Sequence, residues 1–162
     1  MTPIVTQTHG AGETLALAER VGGLLRGGDV LSLSGDLGAG KTVFAKGVAR
    51  ALRVRDAVVS PTFTVVREYA GTLRLVHVDV YRLDRVQELH DVGWDDLLDG
   101  DSVALVEWGD RVGPLLPTDR LEVRIDLGDT DDDRTVTFTL TGSAWVVRGD
   151  ALAAVVGSDE VP

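Results

Sequence analysis

The 162-residue sequence predicts an α/β domain on a mixed parallel and antiparallel sheet, and three stretches carry that expectation. A short apolar-rich segment, 30–34, runs through a glycine-rich turn into 43–52, where Phe44, Val48 and Leu52 recur at helical spacing. Val103-Ala104-Leu105-Val106 is an unbroken apolar run, as expected of a strand buried on both faces. Segments 121–127 and 135–141 alternate apolar with polar residues on either side of an acidic turn, which reads as an antiparallel hairpin.

The turn after the first of these strands is Gly35-Asp36-Leu37-Gly38-Ala39-Gly40-Lys41-Thr42, which fits G-x-x-x-x-G-K-[ST]. Strand, glycine loop and helix N-terminus together make an anion site, because backbone N–H groups and the positive end of the helix dipole face a phosphate. Gly35, Gly38 and Gly40 allow backbone angles and close approaches that a Cβ would block. Lys41 can set a compact ammonium on the β/γ-phosphates, and Thr42 can place its hydroxyl on Mg²⁺. Only Lys41 and Lys46 are lysines among the 16 basic residues. A chain that otherwise uses arginine thus has a point charge where a planar guanidinium fits poorly. The expected architecture is a P-loop NTPase-like three-layer sandwich.

The remaining elements follow in order. Residues 4–8 read as a first strand. Ala11, Leu15, Ala18, Val21 and Leu25 keep helical spacing as far as Arg26, with Gly27-Gly28 as the stop. Residues 63–69 and 73–79 form a hairpin around Ala70-Gly71-Thr72. Asp84 with Gln87 resembles a capping box that opens a short helix to Leu89, and 92–98 is a second short helical or turn segment. Trp145-Val146-Val147 and 151–156 suggest a last helix, and 157–162 a frayed tail. Residues 1–142 are expected to be a single P-loop domain, with 143–162 a C-terminal helix and partly disordered tail.

A phosphate loop needs a carboxylate to hold Mg²⁺, usually at the end of a buried strand, and a group to orient water. Glu107 ends the continuous apolar run, at the carboxyl edge of a parallel sheet. Asp79 ends the segment His77-Val78-Asp79 and competes for that role. His77 shares a face with Asp79, and a lone strand histidine is more often structural than catalytic. Thr62, stiffened by Pro61, is a candidate switch residue for a γ-phosphate, and equally a plain strand-start threonine. Arg82 is a conceivable charge-stabilising arginine.

Composition narrows the partners. The net charge is -10, and no basic run is present to neutralise nucleic-acid phosphates. The acidic runs Asp95, Asp96, Asp99, Asp101 and Asp129, Asp131, Asp132, Asp133 read as solvated loops. Direct RNA binding by the chain alone is therefore disfavoured, and any RNA is expected to be carried by protein partners. With no cysteine there are no disulfides and no thiolate zinc site. The N-terminus has no signal-peptide pattern and no apolar run reaches membrane length, so a cytoplasmic location is expected.

Four motifs, GDLGAGKT at 35–42, SPTFTVVREY at 60–69, HVDVYRL at 77–83 and LVEW at 105–108, together resemble the TsaE (YjeE) family of P-loop ATPases. These serve bacterial tRNA threonylcarbamoyladenosine (t6A) synthesis. The resemblance implies ATP as nucleotide, with residues 35–42 on its phosphates, Thr42 and Glu107 on Mg²⁺, and Asp79 as a further acid needed for hydrolysis. Lys41, Glu107 and Asp79 would be the catalytic set, and residues 8–14 would lie near the adenine. It also implies partners, the TsaB and TsaD proteins, with tRNA reached only through them. A small-molecule kinase would want an acceptor pocket and a basic lid, and no arginine-rich lid is visible. A GTPase would want N/T-K-x-D, and the chain has no asparagine. An ATP-gated docking module without significant hydrolysis is the remaining alternative.

Overall fold

A computed structural model describes residues 2–59, 66–80 and 99–157. The expectations at 60–65 (Thr62 among them), Arg82, 84–89, 92–98 and 158–162 lie outside the described residues. Seven strands form one mixed sheet: β1 (Ile4–Thr8), β2 (Val30–Ser34), β3 (Val66–Tyr69), β4 (Arg74–Asp79), β5 (Ser102–Glu107), β6 (Arg120–Leu127) and β7 (Arg134–Thr141). Their spatial order is β1-β7-β6-β2-β5-β4-β3. The central four, β6, β2, β5 and β4, run parallel. Both edges are antiparallel, through the β6–β7 and β3–β4 pairs and through β1 on β7. Every residue of β5 is buried, as its continuous apolar run requires. The helices are α1 (Ala11–Gly22), α2 (Lys41–Ala51), α3 (Ser143–Val146) and α4 (Gly149–Gly157), with a 3₁₀ segment at Gly109–Leu115.

One sheet face carries the larger core. Leu31, Leu33, Leu75 and Leu105 meet Leu17 and Phe44 there. The Phe44 ring also packs against Phe138 of β7, centroids 6.3 Å apart. Val30, Val76, Val78, Ala104 and Val106 make a second cluster from the alternate strand positions.

The first helix stops earlier than its pattern suggests. α1 ends at Gly22, and Leu24 and Leu25 turn back on the carbonyls of Val21 and Gly22 in i→i−3 bonds. That tighter turn still delivers Leu25 to the core, so the apolar stripe outlasts the helix. The buried face is Thr14, Leu17, Ala18 and Val21, while Ala11 is exposed.

α1 and α2 cross closely because glycine leaves the room. A Cβ at Gly47 would lie 2.5 Å from both the Leu15 carbonyl oxygen and the Ala18 Cβ. Gly47→Ala gains about 1 kcal/mol of helix propensity but forces a backbone shift that costs about 1–3 kcal/mol. The expected net result in urea denaturation is a loss of about 1 kcal/mol, and a stabilised variant would contradict the packing account.

The chain end is pinned to the domain. Trp145 and Leu152 are fully buried in the larger core. Arg148 forms a bidentate pair with Asp29, at 2.6 and 2.9 Å, and its guanidinium stacks 3.7 Å above the Trp145 ring.

Candidate functional site

The strand β2 delivers the chain to Gly35 at the carboxyl edge of the parallel sheet. Gly35 has φ +141, and a Cβ there would lie 2.3 Å from the Ile125 carbonyl oxygen of β6, so both angle and space demand glycine. Gly40 has φ +112 in open space and needs glycine for its angle alone. Gly40 caps α2 with neither a side-chain cap nor an acidic residue in the first turn. A helix N-terminus left without a side-chain acceptor is suited to an external anion. Asp36, Leu37 and Gly38 at the tip are exposed, whereas Ala39 is buried behind it.

Lys41, the first residue of α2, is buried. Its ammonium donates to the carbonyl oxygens of Gly35, at 2.7 Å, and Asp36, at 2.9 Å. It also lies 4.0 Å from the centroid of the Trp108 ring. Burial holds the Lys41 pKa below the ordinary lysine value, while the charges of Glu107, Asp36, Asp79 and Asp110 pull it back up. Thr42 follows on the helix and is half-buried.

The two acidic candidates end neighbouring strands. In the β4–β5 register Asp79 stands opposite Glu107, and in the β2–β5 register Leu33 stands opposite Glu107. Both carboxylates therefore sit at the strand ends beside the glycine loop, and both are buried. Buried carboxylates need partners. Glu107 is paired with His77, whose Nε2 lies 2.9 Å from Oε2. Trp108, directly after Glu107, takes a left-handed backbone with φ +62. A bulky residue in that region is rare, and such outliers cluster at functional sites.

Beside the glycine loop lies a cleft of about 150 Å³. Gly10, Ala11 and Thr14 form one wall, Asp131, Asp132 and Arg134 another, and Gly38 to Gly40 with Val43 the floor. Its walls are tied together. Thr8 and Thr14 share a buried 2.7 Å hydroxyl bond, and the Glu13 carboxylate accepts from the His9 backbone N–H. His9 Nδ1 and Asp133 meet at 2.8 Å across the two walls. That bond raises the His9 pKa and lowers that of Asp133. Arg134 donates to the Ala39 carbonyl at 2.9 Å and to the Asp131 and Asp133 carbonyls, so it pins the β6–β7 turn to the glycine loop.

Sequence reasoning missed Arg134, the aromatic support under Lys41 and the clasp at His9. Asp131 and Asp132 are exposed, as expected of a solvated loop, and also line the cleft, while Asp133 clasps His9. These contacts join residues distant in the chain and leave no local period; only the LVEW motif itself marks Trp108.

Comparison with known proteins decides the family. The family model described as threonylcarbamoyl adenosine biosynthesis protein TsaE matches residues 8–136. The chain belongs to the TsaE family. It is 43% identical over 142 residues to the tRNA threonylcarbamoyladenosine biosynthesis protein TsaE of Bacillus subtilis, covering 87% of this chain and 88% of that protein. It is 46% identical over 145 residues to the protein of that name in Streptomyces coelicolor, covering 85% of this chain and 97% of that one. The crystal structure of Bacillus subtilis YdiB superposes with a TM-score of 0.82 at 36% identity, covering 94% of this chain and 95% of that one. The mixed sheet flanked by helices is thus the fold of a solved relative, and the TsaE match spans both the glycine loop and Glu107. Among the described residues no helix is long and apolar enough to cross a membrane.

Proposed function

We propose that this TsaE-family protein is a Mg²⁺-dependent ATPase that supports t6A formation at tRNA adenosine 37 together with TsaB and TsaD. The observation that carries the reading is the convergence of an uncapped helix N-terminus, the buried Lys41 ammonium and two buried carboxylates at adjacent strand ends. Residues 35–42 cradle the phosphates, and Lys41 exchanges its two loop carbonyls for phosphate oxygens. Thr42 and Glu107 hold Mg²⁺, and Asp79 is the further acid needed for hydrolysis. Mg²⁺ commonly keeps several waters and takes only one or two protein ligands beside phosphate oxygens, so a hydroxyl and a carboxylate suffice. An ion held there would supply positive charge to the oxygens of the transferring phosphoryl group. The cleft walled by Gly10, Thr14 and the β6–β7 turn receives the nucleoside end, and its size suits a ring rather than a whole nucleotide.

The net charge of -10 favours reaching tRNA through partner proteins rather than by direct contact. Buried carboxylates beside Lys41 favour hydrolysis over ATP-gated docking alone. No arginine finger is evident in the sequence, and supplying one in trans is worth about 10³–10⁵ in rate. The isolated chain is therefore expected to hydrolyse ATP slowly and to speed up by at least about tenfold with TsaB and TsaD present. Phosphate release measured with and without the partners tests this. Fast turnover alone, or no turnover under either condition, counts against it.

A further inference from the structure

We infer that His77 is a positioning residue that holds the Glu107 carboxylate so that a single oxygen is presented to Mg²⁺; this rests on the reading of Glu107 as a metal-side carboxylate. The His77 ring is fully buried and Glu107 is 3% exposed, so neither side chain is oriented by bulk water. In the sheet His77 stands opposite Leu105, one pleat before Glu107, and its ring spans the diagonal to the carboxylate of the next strand. Nε2 lies 2.9 Å from Oε2, and Nδ1 has no hydrogen-bond partner among the described residues.

This fixes the tautomer. A proton on Nδ1 alone would leave a buried orphan donor and turn the Nε2 lone pair against a carboxylate. A proton on Nε2 satisfies Glu107 and leaves only a weaker orphan acceptor. With Oε2 engaged, the Glu107 side chain loses rotational freedom, and Oε1 is left for other partners. That suits an ion that keeps most of its waters, and metal-binding carboxylates are generally oriented by such outer partners.

Two substitutions of similar size separate positioning from mere burial. In His77→Gln the amide nitrogen falls near the position of Nε2 and can still donate to Glu107. In His77→Asn it falls near Nδ1 and cannot reach. With saturating ATP, the Asn variant is expected to need about tenfold or more Mg²⁺ for half-maximal hydrolysis, and the Gln variant to stay within about threefold of wild type. ADP affinity measured in EDTA should change less than about twofold in either, since those contacts lie on the glycine loop. The two variants behaving alike in Mg²⁺ would overturn the inference.

A second readout needs no variant and no metal. Long-range ¹⁵N–¹H correlation on the metal-free wild-type chain should show His77 protonated on Nε2, and an Nδ1-only tautomer would overturn the inference even if the Asn variant fails to fold. Glu107→Gln separates this idea from its foundation. If that variant hydrolyses ATP like wild type, the reading of Glu107 fails. If it is inactive while the Asn and Gln variants are indistinguishable, only the role given to His77 fails.

Discussion

Glu107→Gln lowers partner-stimulated ATP hydrolysis by about 10²-fold or more while leaving nucleotide affinity within about threefold. The amide keeps the volume and the bond to His77 can be remade through its oxygen, so the strand end stays packed. What is lost is a full negative charge in a buried site, where an organised electrostatic group is worth about 10²–10³ in rate. Lys41→Ala gives the opposite pattern. It removes a charge-assisted contact to phosphate worth about 1.5–3 kcal/mol, which weakens ATP binding about tenfold to a hundredfold. Comparing kcat with directly measured Kd for both variants separates the roles. Small and equal effects from both substitutions would remove the site assignment.

Arg148→Met destabilises the fold by about 3–5 kcal/mol, the usual cost of stranding one member of a buried ion pair. Asp29 would keep the Arg26 backbone N–H at 2.7 Å but lose both guanidinium bonds. Arg148 also donates to the Leu24 and Ala144 carbonyls, so its loss unties the turn after α1 from the segment between α3 and α4. Urea denaturation measures the change, and in a chain of this length it corresponds to roughly 6–20 °C in Tm. Asp29→Asn combined with Arg148→Met should recover much of the loss, because a matched neutral pair no longer buries a bare charge. A change under about 1 kcal/mol in the single variant would mean that Trp145 and Leu152 alone hold the chain end.

The elements that sequence periodicity could reach were those with local causes. The strand at Val30–Ser34, the glycine turn and the helix behind it follow from neighbouring residues, and so does Glu107 at the end of a fully buried strand. The early stop of α1 was hidden, because Leu25 keeps its apolar position through a 3₁₀ turn after the helix has ended. The clasp across the cleft and the anchor of the chain end were hidden for another reason. His9 meets Asp133 across 124 residues and Arg148 meets Asp29 across 119, and neither pair has a spacing that a sequence pattern registers. His77 lies between these cases. Its face on the strand was legible beside Asp79, but its partner on the next strand depends on the sheet register.

The central claim is that the glycine loop with Lys41 is built to bind the phosphates of ATP. Calorimetric titration of ATP with Mg²⁺ into the full chain, beside the same titration of Lys41→Ala, tests it most directly. The account predicts saturable binding at one site in the wild type and at least about tenfold weaker binding in the variant. No saturable binding in the wild type, or equal affinity in the two, would contradict it.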